Sequence, residues 1–296
     1  MGISGGIDST VVAAISHEVS KRTNIPLIGR SLPTTNNKTN EVSTADLVGK
    51  AFCNDYKVYP IDRFYHQFMI DIVHKETGSV RYVQNEYTGG FTIDLEDCLK
   101  FQTPIANGNI QARLRMIYLY NLASIYGGLV MDTDNLTENN LGYFTIHGDV
   151  GDFNPIGGLW KTEVFKLAEW LLSYYSFQLP HNMYEATAEQ LEKAGKVFQQ
   201  GKAIKESLKL KPTAGLGITN NDLEEIGAES YDQVDSILQE TLRLKEKGAN
   251  INTILETLYD NSNINSDIIN NVVNKHFKSE FKRKQLPIKI TKGEIL

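Results

Sequence analysis

Apolar residues recur along this chain in two rhythms. Val11, Val12, Ile15 and Val19 fall at helical spacing and predict an amphipathic helix over residues 10–22. Residues 26–32 (PLIGRSL) read instead as a buried strand, closed by Pro33, Thr34 and Thr35. A helix is predicted over 43–52, where Ala45, Leu47, Val48 and Ala51 are apolar, and a third strand over 56–61. This alternation predicts a parallel sheet with right-handed crossovers. Residues 109–126 form the strongest helical pattern, with Ile110, Leu114, Ile117, Tyr118, Leu122 and Ile125 on one face and Gly127-Gly128 at its end. A strand over 129–131 then leads into Asp132-Thr133-Asp134-Asn135, and a helix covers 162–174.

Three stretches fit the alternation less well. Residues 77–103 carry Gly78, Gly89 and Gly90 with little period, and read as a surface excursion. Residues 185–210, rich in Lys, Glu and Gln, read as an inserted helical hairpin whose charge serves solubility. Residues 216–281 are polar and mostly helical, the Asn-rich run 261–274 reading as a capped helix. No internal repeat is evident, and the whole of 1–296 reads as a single domain.

The first strand is expected to be very short, because only Met1, Gly2 and Ile3 precede the run Ser4-Gly5-Gly6-Ile7-Asp8-Ser9. Strand, small-residue turn and helix aim backbone N–H groups and a helix N-terminus at an anion. The run has no Walker lysine and carries an aspartate instead. An aspartate beside phosphates makes sense when a divalent metal sits between them. The loops 4–9, 33–35 and 132–135 all follow predicted strands. In an open parallel sheet such ends share one edge, where ligands bind.

Composition narrows the class further. Hydrophobic residues make up 41% and charged residues 22% of 296, ordinary for a globular enzyme. A net charge of −6 argues against a nucleic-acid partner. Cys53 and Cys98 are too few for a disulfide framework and favour a reducing, cytoplasmic setting. No apolar run approaches the roughly 20 residues that span a bilayer, and Met1 leads straight into the glycine run with no signal peptide between them.

The loop Ser4-Gly5-Gly6-Ile7-Asp8-Ser9 resembles the SGGxDS loop of the N-type ATP pyrophosphatases. Later segments narrow the resemblance. Asn109-Ile110-Gln111-Ala112-Arg113-Leu114-Arg115-Met116 is similar to the NIxARxRM helix of NAD synthetases. Thr133-Asp134-Asn135 with Glu138, then Gly142-Tyr143-Phe144-Thr145, Gly148-Asp149, Asn154-Pro155-Ile156-Gly157 and Lys161-Thr162, resemble further segments of that family in the same order. Pro212-Thr213-Ala214, Glu225-Ile226-Gly227, Tyr231, Asp235, Lys282-Arg283 and Pro287 complete the likeness. Several ordered matches are far more specific than one loop. Ile146 and Phe281 stand where the family often has lysine and histidine.

The resemblance implies a doubly wound parallel α/β sheet of the adenine nucleotide alpha hydrolase type, with extra C-terminal helices. It implies ATP-dependent amidation of deamido-NAD to NAD through an adenylated carboxylate, with free ammonia as nitrogen donor, in a homodimer. Ser4, Gly5, Gly6, Ile7, Asp8, Ser9, Thr10, Thr133, Lys161 and Thr213 fall on ATP-contacting positions. Asp8 and Glu138 fall on the positions that hold Mg²⁺, and Asp8 and Lys161 carry the catalytic roles. Arg113, Asp152, Phe281 and Lys282 fall on deamido-NAD positions. The loop chemistry also fits an ATP pyrophosphatase that adenylates another carboxylate or a tRNA base, or a nucleotide-binding subunit without catalysis.

Overall fold

The computed structural model describes residues 1–35, 37–69, 82–84, 91–93, 104–180, 186–211, 222–284 and 288–289. Its strands are β1 (Ile28–Ser31), β2 (Asp55–Val58), β3 (Tyr82–Gln84), β4 (Phe91–Ile93), β5 (Phe153–Asn154) and β6 (Ile288–Lys289). Its helices are α1 (Ile7–Thr23), α2 (Thr39–Phe52), α3 (Asp62–Phe68), α4 (Pro104–Tyr126), α5 (Leu136–Leu141), α6 (Lys161–Phe177), α7 (Ala188–Leu208), α8 (Asp222–Ile226), α9 (Tyr231–Glu246), α10 (Ile251–Asn261), α11 (Ser266–Lys278) and α12 (Glu280–Arg283).

β1 and β2 pair in parallel, Ile28 opposite Asp55 and Ser31 opposite Val58. The other edge of β1 takes the start of the chain. Ile3 N donates to Arg30 O at 2.9 Å, and Arg30 N donates to Met1 O at 3.0 Å. Brief as it is, this pairing fixes the approach to the glycine loop. Met131 bridges Phe153 in parallel, and β5 pairs in parallel with β6.

Helices cover both faces of this parallel α/β scaffold. On one side, Val11 and Val12 of α1, Val48 and Phe52 of α2, Val164 and Tyr175 of α6 and Ile204 of α7 share a core with Ile3. On the other, Met116 and Leu119 of α4 pack with Leu32, Ile61 and Val130. The C-terminal helices build a separate apolar core from Ile226, Val234, Leu238, Ile254, Ile269 and Val273, which reaches Leu141 and Trp160. Among the described residues, no helix is long and apolar enough to cross a membrane.

Several local expectations change. α4 begins at Pro104, five residues before the expected start. Its inward side chains are Ala112, Met116 and Leu119, while Ile117 and Ile125 are each 66% exposed. Both sides of this helix are apolar, so periodicity alone could not choose the packed one. The charged stretch near 185–210 holds one helix, α7, rather than a hairpin. It is no solvated appendage, because Ala194, Val197, Ala203 and Ile204 are buried. Of 77–103, the described part is the antiparallel pair β3–β4; the expected excursion otherwise lies outside the described residues, as does Cys98. In the Asn-rich stretch, Asn265 caps α11, its Oδ1 accepting from Asp267 N at 2.7 Å.

Candidate active site

A cleft of about 630 Å³ opens where these strands end. Ser4, Gly6, Ile7, Asp8, Ser9, Pro33, Thr133, Asp134, Glu138 and Lys161 all line it. The three strand-end loops thus meet at one place, as an open parallel sheet requires.

The glycine loop is folded tightly upon itself. Gly5 has φ +85°, and a Cβ there would lie 2.6 Å from Glu41 O. Only glycine meets both demands without strain. Gly6 N donates to Ser4 Oγ at 3.2 Å, and Ser4 Oγ lies 2.9 Å from Ser9 Oγ. Gly6 is the N-cap of α1 and offers no side-chain cap, so the helix's first N–H groups face the cleft end of the loop. A second element braces this turn from behind. Ser207 Oγ on α7 donates to Gly5 O at 2.8 Å, and Thr10 Oγ1 lies 2.9 Å from Ser207 Oγ.

Asp8, on the first turn of α1, meets two partners from distant segments. Lys161 Nζ donates to Asp8 Oδ2 at 2.6 Å and to Glu138 Oε1 at 2.9 Å. The lysine side chain is 1% exposed and each carboxylate 17%. Burial disfavours the Lys161 ammonium, but Asp8 and Glu138 outweigh it and hold its pKa well above that of ordinary lysine. Burial, joined by the charge of Asp8, pushes Glu138 up to about 7 against the pull of Lys161. Burial also raises Asp132 to about 6, and raises Asp134 well beyond the usual carboxylate range with help from Asp132. Asp8 and Glu138 therefore flank a buried cation, Lys161, with Asp134 also in the lining.

The backbone explains why these groups converge. Asn135 caps α5 in a reciprocal box: Glu138 N donates to Asn135 Oδ1 at 3.0 Å, and Asn135 N donates to Glu138 Oε2 at 3.2 Å. Lys161 opens α6, and its N–H donates to Thr137 Oγ1 at 2.8 Å. Asp235, reaching over from α9, accepts from Thr137 Oγ1 and from Thr162 N. The C-terminal bundle thereby clamps α5 to the start of α6. Tyr231 places its ring centroid 5.7 Å from Lys161 Nζ, and its hydroxyl donates to Asp222 Oδ2 at 3.2 Å.

Not every expected position joins the cleft: Gly5 and Thr10 are buried behind the loop, outside the lining. Phe281 and Lys282 line it, with Lys282 Nζ donating to Gly142 O at 2.8 Å and Phe144 O at 2.7 Å. Arg113 lies outside the lining and donates from Nε to Ile146 O at 3.2 Å. Asp152 also lies outside it; its Oδ2 accepts from Val130 N at 2.8 Å. The arginine of α4 that does line the cleft is Arg115, donating from Nε to Leu32 O at 2.9 Å. Thr213 lies outside the described residues. Sequence reading did not single out Asn135, Ser207, Asp222 or Arg115 as functional. Asn135 and Arg115 stand inside the family-like segments without an assigned role, and the i to i+3 pairing of Asn135 with Glu138 is also a capping-box spacing; Ser207 and Asp222 carry no such signal.

A parallel α/β sheet with a glycine turn at its strand ends and an acidic, lysine-centred cleft defines a nucleotide-binding α/β protein. The family model for NAD synthase matches residues 1–286. The NH(3)-dependent NAD(+) synthetase of Methanococcoides burtonii is 32% identical over 246 residues, covering 82% of this chain and 71% of that relative. The enzyme of the same description from Methanocaldococcus jannaschii is 31% identical over 249 residues, 84% of this chain and 73% of the relative. Among solved structures, the NMN synthetase of Francisella tularensis superposes with a TM-score of 0.62 at 24% identity, covering 97% of this chain and 87% of that one. The NH3-dependent NAD synthetase of Campylobacter jejuni gives 0.55 at 23%, covering 98% and 87%. These two likenesses speak for the fold. The chain belongs to the NAD synthase family.

Proposed function

We infer that this chain catalyses the ATP-dependent amidation of deamido-NAD to NAD with ammonia. A carboxylate is a poor acyl donor until its oxygen carries a better leaving group. Attack of the nicotinate carboxylate on the α-phosphorus of ATP expels pyrophosphate and leaves an acyl adenylate. Ammonia then attacks the acyl carbon, AMP departs with the carboxylate oxygen, and the amide remains. The observation that carries this reading is the contact of Lys161 with Asp8 and Glu138 beside the glycine loop, in a chain matched along its length by the family model.

Roles for the residues follow from their positions. The first-turn backbone N–H groups of α1 at Ile7, Asp8 and Ser9, with the Ser4 and Ser9 hydroxyls, cradle the departing pyrophosphate, where developing charge is greatest, and Gly5 and Thr10 hold the loop in shape from behind. Lys161 supplies a positive charge to the same oxygens, and Thr133 borders the nucleotide. Thr213 is proposed for ATP on family grounds alone. The two carboxylates, Asp8 and Glu138, suit Mg²⁺, a hard ion commonly held by one or two carboxylates together with substrate phosphates. Their oxygens Oδ2 and Oε1 already converge on one cation, Lys161 Nζ, which supports the fit. Mg²⁺ would supply charge neutralisation at the phosphates.

Arg113, Asp152, Phe281 and Lys282 are proposed for the dinucleotide. Arg113 is exposed on α4, as are Ile117 one turn along it, Ile125 near its end and Leu129 beyond it, the last 69% exposed. An apolar surface of this kind suits an interface, and we assign it to a second copy of the chain, which would bring the acceptor's binding residues to the subunit boundary. The purified chain supplied with ATP, Mg²⁺, deamido-NAD and ammonium should form NAD, AMP and pyrophosphate in equal amounts. An absence of NAD at every ammonium concentration would overturn this reading.

A further inference from the structure

We propose that Asn135 is the positioning residue that sets the spacing of Asp8 and Glu138 for a divalent cation, an inference resting on the metal-ligand reading of those two carboxylates. Asn135 is fully buried. Its side-chain Nδ2 donates to Asp8 Oδ1 at 2.8 Å, joining residues 127 apart in sequence. Its backbone N–H donates to Glu138 Oε2 at 3.2 Å. One residue therefore holds one oxygen of each carboxylate. The remaining oxygens, Asp8 Oδ2 and Glu138 Oε1, are the pair that meets Lys161 Nζ at 2.6 and 2.9 Å. With the back oxygens pinned, neither carboxylate can rotate without breaking a bond in a space where water is scarce. The front oxygens are thus presented together to a single positive charge.

Capping alone does not account for this side chain. An N-cap needs only an acceptor, and Ser or Asp caps as well as Asn. The Oδ1 of Asn135 does that work, accepting from Glu138 N at 3.0 Å. The amide Nδ2 is the part that a serine or aspartate cap would lack, and it is spent on Asp8. Partners of this kind, which orient a metal ligand without touching the metal, typically contribute about 10–100-fold to metal affinity or activity.

The test uses Asn135→Ser and Asn135→Thr, which keep a cap acceptor and lose the amide donor to Asp8. Mn²⁺ is titrated into each full-length protein in the presence of a non-hydrolysable ATP analogue, and free Mn²⁺ is followed by its electron paramagnetic resonance signal. Thermal unfolding is recorded in parallel. Asp8→Asn and Glu138→Gln serve as references for the metal reading itself. Mn²⁺ is expected to bind about 10-fold or more weakly in both Asn135 variants, with only the modest fall in unfolding midpoint that loss of one buried hydrogen bond to a charged group produces. Parental Mn²⁺ affinity in both, alongside weakened binding in Asp8→Asn and Glu138→Gln, would overturn the role of Asn135 and leave the metal reading standing. Parental affinity in the two reference variants would remove the metal reading. If both Asn135 variants instead lower the unfolding midpoint sharply, Asn135 is a structural cap and the proposal fails.

Discussion

With Nζ 2.6 Å from Asp8 and 2.9 Å from Glu138, Lys161 compensates two carboxylates in a space that largely excludes water. Removing one member of a buried charged set costs about 3–5 kcal/mol, because the remaining charge is left uncompensated. Lys161→Met should therefore destabilise the free protein, and the size of the loss should depend on pH. Burial, aided by Asp8, lifts Glu138 from 4.5 to about 7 in the folded protein. A group whose folded pKa lies above its unfolded one favours folding below the unfolded value and loses that contribution as pH rises through the folded value. Without the ammonium that opposes it, this rise in Glu138 grows. Urea unfolding should show a larger gap between parent and Lys161→Met at pH 8 than at pH 5.5. An equal gap at both pH values would show that Glu138 is not the group left exposed to the loss. In the sequence these three residues were readable only as members of motifs. What no motif contained was Asn135 Nδ2 on Asp8 or Tyr231 beneath Lys161, because both depend on side-chain directions set by distant packing.

Among the elements, α7 differs most from its sequence reading. Its Lys, Glu and Gln content resembles a solvated helix, yet small residues at 194, 203 and 207 let it lie close against α2 and α6. Ser207 then reaches the backbone of the glycine loop. Ser207→Ala leaves Gly5 O without this donor, and an unsatisfied buried polar group costs about 1–3 kcal/mol. The expected outcome is a raised KM for ATP with a smaller change in kcat, together with a modest fall in unfolding midpoint. An unchanged KM for ATP would show that the loop holds its shape without α7. The glycine loop itself was legible because Gly5 and its small neighbours have few structural uses other than a tight turn. The strand Ile28–Ser31 was legible from its apolar run and the following Pro33. The buried side of α4 was legible only in part: Ile110, Leu114 and Tyr118 pack against buried residues, but the innermost side chains are Ala112, Met116 and Leu119, and Ile117 and Ile125 are exposed.

At the scale of the whole molecule, that second apolar side of α4 needs a partner. Ile117, Ile125, Tyr126 and Leu129, on α4 or just beyond its end, are each more than half exposed, and clustered exposed apolar side chains mark association sites. The proposed dimer predicts that Ile117→Asp combined with Ile125→Asp shifts the sedimentation coefficient from dimer to monomer while the far-ultraviolet dichroism stays parental. A parent protein that sediments as a monomer at micromolar concentration would remove the dimer. The two apolar cores, one around α1, α2, α6 and α7 and one in the C-terminal helices, meet where Asp235 holds Thr137 and Thr162. The cleft lies beside that junction, so ATP chemistry depends on both. The reaction proposed for this cleft begins with attack of a carboxylate oxygen on the α-phosphorus of ATP. Deamido-NAD carrying ¹⁸O in its nicotinate carboxylate, turned over with ATP, Mg²⁺ and ammonia, tests it by mass spectrometry of the products. Attack at the α-phosphorus puts one ¹⁸O in AMP and none in pyrophosphate; label in inorganic phosphate formed together with ADP would instead place the attack at the γ-phosphorus and rule this route out.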